Sequence, residues 1–322
     1  MKTSIQNNFP IRIGISSCLL GEKVRYDAGH KKDIYLTDIL GKYFEWVPVC
    51  PELEVGMGVP REPVRLTGQP HSPRMIGTES GTDWTERMLK FSERRVDQLE
   101  KSELSGYIFK SKSPSCGIER VRIYTDKGVL GGNGTGLFAA ALMKSFPLLP
   151  VEEEGRLNDA GLRDNFIVRV FSYHRLQILL RNRFTIGALV QFHTSHKYLS
   201  LAHSPKHYNA LGKLVAAAKS VPPSRLRDEY SSLFMEALKV KTTTKKNVNV
   251  LQHIFGFLKK YLSEGEKTDI LGVLEDYRKE IVPLIVPVTL LRNYLRKNNV
   301  SYLLDQVYLN PHPKELMLRN HV

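Results

Sequence analysis

Cys18 in ISSCLLG, Cys50 in VPVCPE and Cys116 in KSPSCG are the residues best suited to chemistry, and they are the only cysteines among 322 residues. Three thiolates are one short of a closed tetrahedral thiolate site. They are enough to hold an iron–sulfur cluster by three corners and leave a fourth iron open. Three unrelated buried thiols are the plain alternative, because cysteine is among the most buried residue types. The spacing matches no compact ferredoxin or zinc-finger pattern, so any shared site has to be assembled by the fold.

The elements around the cysteines supply such an assembly. Ile11 to Ser16 reads as a short strand running into Cys18, and Trp46 to Val49 as another running into Cys50. Tyr107 to Phe109 reads as a third, ahead of the loop that carries Cys116. Open α/β sheets form their sites where several strands release their carboxyl ends on one side. Three strands ending before three cysteines therefore favour one shared site over isolated thiols. Asp83 is the expected N-cap of a long helix over WTERMLKFSERRVDQLEK. A strand-like VRIY precedes VLGGNGTGLFAAALMK, whose glycines at 131, 132, 134 and 136 allow tight turning. This segment is expected to wall the cysteine pocket, with a purely structural turn as the alternative. A dinucleotide fingerprint is a weak match, because the segment comes late in the chain.

Beyond about Leu162 the strand signals disappear. Helical spacing covers Phe166 to Leu180, Arg183 to Leu201, Tyr208 to Lys219, Leu226 to Lys239, Val248 to Tyr261, Asp269 to Ile281 and Val288 to Arg296, broken by Pro222, Pro223, Pro283 and Pro287. The expected architecture is a Rossmann-like layered α/β domain over residues 1–165 followed by an all-helical domain over 166–322. The net charge is +14, from 47 Lys plus Arg against 33 Asp plus Glu, which calls for an anionic partner. Between Lys197 and Lys260 there are twelve basic residues but only Asp228, Glu229 and Glu236 on the acidic side, so the excess sits in the helical half. That unevenness fits a phosphate backbone. No secretory segment is expected at the polar start, and IVPLIVPVTLLRNYL is too short and proline-rich for a membrane span. With so few cysteines, a reducing cytoplasm is the expected compartment.

ISSCLLGEKVRYDAGHK, PVCPELEVGMGVPREPVRLTG, SPSCG, GNGTG and PVEEEGRL resemble thiouracil desulfidases over about residues 10–160. LVQFHTSHKYLSLAHSPKHYNALGKLVA, NVLQHIFGFLKK and YLNPHPKEL resemble a separately recognised helical family often fused to desulfidases. The fused form looks like an enzyme that removes sulfur from 4-thiouridine in tRNA. The resemblance implies a [4Fe-4S] cluster on Cys18, Cys50 and Cys116, with one iron not ligated by cysteine. It also implies catalytic roles for Ser113 and for a glutamate beside the second cysteine, Glu52 being the closer match and Glu54 the alternative. A thiocarbonyl sulfur is soft, as is a coordinatively open iron, which gives these residue types a reason. Glu52 would activate water and Ser113 would hydrogen-bond the ring or the incoming oxygen. A capping carboxylate and a turn hydroxyl are their plain alternatives.

Arg25, Tyr26, His30 and Lys31 follow the first cysteine, Arg61 falls in the PREP turn, and Lys110 and Lys112 lie beside the third; all seven are expected to contact the substrate base or phosphate. His30 belongs to that set and not to the metal, since a fourth ligand would close the open iron. In the helical half, Lys197, Lys206, Lys241, Lys245 and Lys246 are the expected RNA phosphate contacts, with Tyr198 and Tyr208 interspersed. His193 with His196, and His203 with His207, share helix faces by spacing, but nothing completes a metal site and core or capping roles are the simpler reading. The expected partner is tRNA containing 4-thiouridine, with free thiouracil or the thiouridine nucleoside as the alternative substrate.

Overall fold

The computed structural model describes residues 10–125, 128–182 and 184–322, leaving aside the side chains of residues 130–133. Two compact units divide between Asn158 and Asp159, an α/β unit followed by a helical one. The division falls ahead of the expected boundary because the first helix of the second unit starts early. Asp159 accepts the Leu162 amide at 2.8 Å and so caps helix α4 (Ala160–Arg181), whose first turn has no apolar periodicity to announce it.

In the first unit, a parallel sheet has the order β2 (Glu45–Val49), β1 (Arg12–Ser16), β5 (Gly106–Phe109), β8 (Val151–Glu153). Its first three strands are those expected ahead of the cysteines. β1 pairs with β2 on one edge and β5 on the other, and this reversal of strand order opens a crevice at the carboxyl ends. β5 is buried throughout, as strands of covered parallel sheets are. Gly14 on β1 is required by its neighbour, since a Cβ there would lie 2.2 Å from the ring of Tyr107. Tyr107 stacks on Phe109 at 4.1 Å, and both meet Phe138 of α3 (Leu137–Ser145). Full burial of a ring such as Phe138 contributes about 1.5–3 kcal/mol. Truncation to alanine would cost about 3–5 kcal/mol.

A second sheet, with order β4 (Ser72–Gly77), β3 (Val64–Gln69), β6 (Val121–Thr125), β7 (Gly128–Gly134), went unseen in the sequence apart from VRIY. Pro73 and Gly68 break the alternation of its first hairpin, and Pro73 is tolerated because β4 is an edge strand. The long helix α2 (Thr85–Glu100) begins one residue later than an Asp83 cap would set it. Asp83 instead accepts the Thr85 amide at 2.9 Å and pairs with Arg74 at 2.6 Å, fastening β4 to the helix start.

The second unit comprises α4, α5 (Ile186–His203), α6 (Pro205–Ala216), α7 (Pro223–Lys239), α8 (Thr244–Leu258), α9 (Glu264–Arg278), α10 (Ile285–Lys297) and the short α11 (Ser301–Leu304). Thr185, Ser204, Thr243 and Ser263 cap α5, α6, α8 and α9 with their side chains. Arg183, the expected start of the second of these helices, lies outside the described residues. α5 packs against α6, α7 and α8 and is buried around most of its circumference, which accounts for its apolar composition. Among the described residues no helix is long and apolar enough to cross a membrane.

Candidate active site

Cys18 lies in a tight 3₁₀ turn over Ser17–Leu20, directly after β1. Its carbonyl accepts the Lys31 amide at 2.9 Å, which folds the long loop back onto the turn. Cys50 follows β2 without a break and is the N-cap of α1 (Pro51–Glu54). Cys116 belongs to the loop after β5, where Gly117 donates to the Ser113 carbonyl at 2.8 Å. All three line one cavity of about 260 Å³ together with Val24, Val49, Pro51, Pro63 and Val64. Strand ends thus bring together residues far apart in sequence.

The thiols share an electrostatic neighbourhood. Burial, reinforced by nearby Cys50, pushes the Cys18 thiol up to about 11. Burial also raises Cys50, and raises Cys116 well above the usual thiol range, with Glu52, Cys18 and Cys50 adding to the effect on Cys116. Such thiols stay protonated at neutral pH until a metal displaces their protons. Among the described residues, no three His, Cys, Asp or Glu side chains converge closely enough to chelate a single ion. Three soft donors placed around one cavity of mixed polar and apolar walls suit a multi-iron cluster, in which each thiolate caps a different iron.

Glu52 reaches into the same cavity from α1. Its Oε2 accepts from Arg61 Nη2 at 2.5 Å, and its Oε1 accepts from Ser115 Oγ at 2.8 Å and from Ser113 Oγ at 3.5 Å. Ser113 Oγ in turn accepts the amides of Ser115 and Cys116 at 3.2 and 3.1 Å. The Ser113 oxygen is therefore fixed by its own turn, and its proton is available for Glu52 or a ligand. Glu54 points elsewhere. It accepts the Cys50 amide at 2.9 Å and pairs with Arg95 at 2.9 Å, so it braces α1 and does not line the cavity.

Five of the seven expected contact residues, Arg25, Tyr26, Arg61, Lys110 and Lys112, line the cavity. His30 and Lys31 do not: both are exposed, and His30 accepts the Lys32 amide at 3.1 Å through Nδ1. Arg61 has little left for a substrate, because Nη1 donates to the carbonyls of Val24 and Gly58 at 3.0 and 2.9 Å while Nη2 holds Glu52. Lys110 is tied to the Glu154 carboxylate, which also accepts the Ser111 amide at 2.7 Å. Lys112 is exposed, takes a left-handed conformation with φ 59°, and forms no ion pair among the described residues. It is the freest of the cations that line the cavity.

Sequence reasoning missed Ser115 and Glu154, although both stood in quoted segments. Their roles depend on pairings across the fold. Of the glycine-rich segment, Gly136 backs the third cysteine loop, and neither Gly134 nor Gly136 is among the described residues that line the cavity. A Cβ at Gly136 would lie 2.4 Å from the Ser115 backbone. The amides of Gly136, Leu137 and Ala139 donate to the carbonyls of Gly117, Pro114 and Ser115 at 2.8, 3.1 and 3.1 Å. The start of α3 is thereby committed to holding the loop, which excludes a phosphate cradle there.

Comparison with known proteins gives this geometry a family. The family model described as 2-thiouracil desulfurase matches residues 13–154. An uncharacterized protein of Bacillus subtilis, YbbK, is 30% identical over 153 residues, covering 45% of this chain and 97% of that protein. The chain belongs to the 2-thiouracil desulfurase family. A second model, described only as a protein of unknown function (DUF1722), matches residues 197–313. An uncharacterized protein of Escherichia coli, YbgA, is 27% identical over 161 residues, covering 49% of this chain and 94% of that protein. A solved structure titled as a [4Fe-4S]-dependent thiouracil desulfidase, TudS, is 29% identical and covers 46% of this chain and 94% of its own, with a TM-score of 0.37.

The helical unit sorts the remaining candidates. Lys206, Lys241 and Lys245 are exposed, Lys241 with its ammonium 3.7 Å from Asp159. Lys197 lies over the rings of Tyr198 and Tyr302, 5.0 Å from each. Lys246 is committed to structure, donating to the carbonyls of His203 and Lys241 at 2.8 and 3.0 Å and so closing the end of α5. The four histidines take the core and capping roles. His196 is buried and bonded to the Phe192 carbonyl at 2.8 Å, and His203 to the Val240 carbonyl at 2.8 Å. His193 meets the Tyr230 hydroxyl at 3.3 Å and His207 the Ser204 hydroxyl at 2.8 Å.

Proposed function

We propose that this protein hydrolyses the thiocarbonyl bond of a thiouracil-type base with the help of a [4Fe-4S] cluster, acting on 4-thiouridine within tRNA. The observation that carries the reading is the cavity in which three thiols from three strand ends meet the braced carboxylate of Glu52. Cys18, Cys50 and Cys116 would hold the cluster. Because the sequence contains no fourth cysteine, one iron would remain open. When bound, the cluster supplies a soft Lewis acid matched to a thiocarbonyl sulfur.

The chain's own residues supply the remaining chemistry. Glu52, held at both oxygens by Arg61 and Ser115, takes the proton of the attacking water as oxygen bonds to the thiocarbonyl carbon. Ser113, fixed by the amides of Ser115 and Cys116, donates toward the incoming oxygen. As the carbon–sulfur bond breaks with its electron pair on sulfur, Glu52 returns its proton to sulfur, which leaves as hydrosulfide, and the remaining hydroxyl proton goes to solvent as the ring regains a carbonyl. Thiocarbonyl and water become carbonyl and hydrogen sulfide, with no net oxidation or reduction. Val24, Val49, Pro51, Pro63 and Val64 limit competing water.

The basic helical unit favours tRNA as the substrate, because surface lysines such as Lys206 and Lys245, which form no ion pair among the described residues, suit a phosphate backbone. The cavity volume favours the second reading, a free thiouracil or thiouridine nucleoside, since about 260 Å³ suits a single ring more than a polymer. A tRNA would therefore present its thio-base flipped outward. The two readings separate on one measurement: sulfide release by anaerobically reconstituted protein, with 4-thiouridine tRNA and free 4-thiouracil compared at equal iron content. Higher kcat/KM on tRNA supports the first reading; turnover of the free base alone leaves the second; no sulfide from either overturns both.

A further inference from the structure

The outward face of α8 carries a second concavity, separate from the cysteine cavity. It is a hollow of about 370 Å³ lined by Asn249, Gln252, His253, Gly256 and Phe257. These positions follow the three- and four-residue spacing of one helix stripe, while Val248, Leu251, Ile254 and Leu258 occupy the buried face. The stripe is exposed, and Phe257 leaves half of its surface to solvent. Gly256 has no packing reason to be glycine: a Cβ there would meet nothing within 4 Å. Glycine weakens an exposed helix relative to alanine, and here it leaves the hollow open for a flat group to approach the backbone.

The surroundings state what kind of group fits. From Thr243 to Ser263 the sequence contains Lys245, Lys246, Lys259 and Lys260 and no acidic residue. Lys245 lies exposed at one end of α8, and Lys259 and Lys260 at the other. The ring of His253 lies 6.5 Å from Tyr198, over which Lys197 sits, and Lys197 also faces the half-exposed ring of Tyr302. Flat rings, two carboxamides with both donors and acceptors, and cations at each end match a nucleobase within a stretch of several nucleotides. A docked protein helix would need several apolar anchors, and Phe257 is the one large apolar side chain lining the hollow.

We propose that this face of α8 binds an unpaired stretch of RNA several nucleotides long, with one base against Phe257 and His253, its edge on Gln252 and Asn249, and phosphates farther along the stretch on Lys245 at one end and Lys260 at the other. The assignment rests on the reading that the substrate is tRNA and locates where the helical unit grips it.

The test uses the full-length, cluster-loaded protein with Phe257→Ala/His253→Ala and, as a rescue, Phe257→Tyr. Affinity for 4-thiouridine tRNA and for an unstructured uridine-rich oligonucleotide is read by fluorescence anisotropy, and kcat and KM are measured on the tRNA and on free 4-thiouracil. The double variant should weaken both affinities at least about fivefold and raise KM for tRNA alike, leaving turnover of free 4-thiouracil unchanged, while Phe257→Tyr retains parental affinity. Parental affinity in the double variant overturns the assignment, as does a variant that alters only self-association or affinity for a fully paired RNA hairpin. If the parent binds tRNA through this face and releases no sulfide from it, the site stands and the tRNA desulfidase reading fails. If the parent desulfurates tRNA and the double variant matches it, the reading stands and the site fails.

Discussion

Replacing Ser115 by alanine isolates the hydroxyl that holds Glu52. Ser115 is fully buried, and its Oγ lies 2.8 Å from Glu52 Oε1, against 3.5 Å for Ser113. A hydrogen bond to a charged group is worth about 1.5–3 kcal/mol, and each 1.36 kcal/mol in a barrier is a factor of about ten. If the bond is needed to aim the carboxylate at water, Ser115→Ala lowers kcat/KM about 10- to 150-fold. Folding should suffer far less, because Arg61 keeps its grip on Oε2 and the Ser115 amide still donates to Ser113 Oγ. The assay is anaerobic sulfide release from 4-thiouracil at matched iron content, run beside Ser113→Ala. A Ser115→Ala protein with full iron content and kcat/KM within twofold of the parent would refute the reasoning and return the task to Ser113 alone.

Cys18→Ser, Cys50→Ser and Cys116→Ser should each lose bound iron and turnover together, and a variant that keeps full iron content removes that cysteine from the ligand set. Glu52→Gln should lower kcat about 10²- to 10⁴-fold, whereas Glu54→Gln should chiefly lower the unfolding midpoint; the reverse pattern would exchange their roles. Glu154→Gln releases Lys110 and weakens the Ser111 contacts, so denaturant melts should show a loss of about 1.5–3 kcal/mol. In the helical unit, burial lowers His196 to about 3 and His203 to about 4. The unfolded chain takes up these protons near pH 6.5 while the folded chain does not, so stability is full above that pH and falls as acid is added. By about pH 4.5 each histidine should have cost about 3 kcal/mol, read as the unfolding free energy of residues 159–322; pH-independent stability between about 7 and 4.5 would contradict their burial in the neutral form.

The cysteine site was legible because its signal is local, a strand followed at once by a punctuated loop. β1, β2 and β5 each announce themselves by a short apolar run, and the parallel order that joins them follows from ordinary α/β topology. In the second sheet only β6 was legible; the β3–β4 hairpin was not, because Gly68 and Pro73 interrupt the period-two pattern on which strand recognition depends. Arg61 illustrates the limit for side chains. Its charge and its place in the PREP turn suggested an anion, but three of its contacts go to Val24, Gly58 and Glu52, residues whose nearness only the folded chain reveals. Lys246 fails in the same way: a basic run reads as solvent-facing until one member is found closing a helix. Glu52 and Glu54 are chemically alike and two positions apart, so only the direction in which α1 turns each one separates a carboxylate that lines the cavity from one that braces the helix.

The descent of the three cysteines from three different strands also fixes an order of events in the life of the molecule. β1 must already lie between β2 and β5 before the thiols come within reach of one another, and those pairings join distant parts of the chain. Chelation therefore cannot nucleate folding as it does in small zinc modules, where ligands close in sequence gather around the ion. A cluster held by these cysteines would therefore be delivered to a receptacle that is already folded.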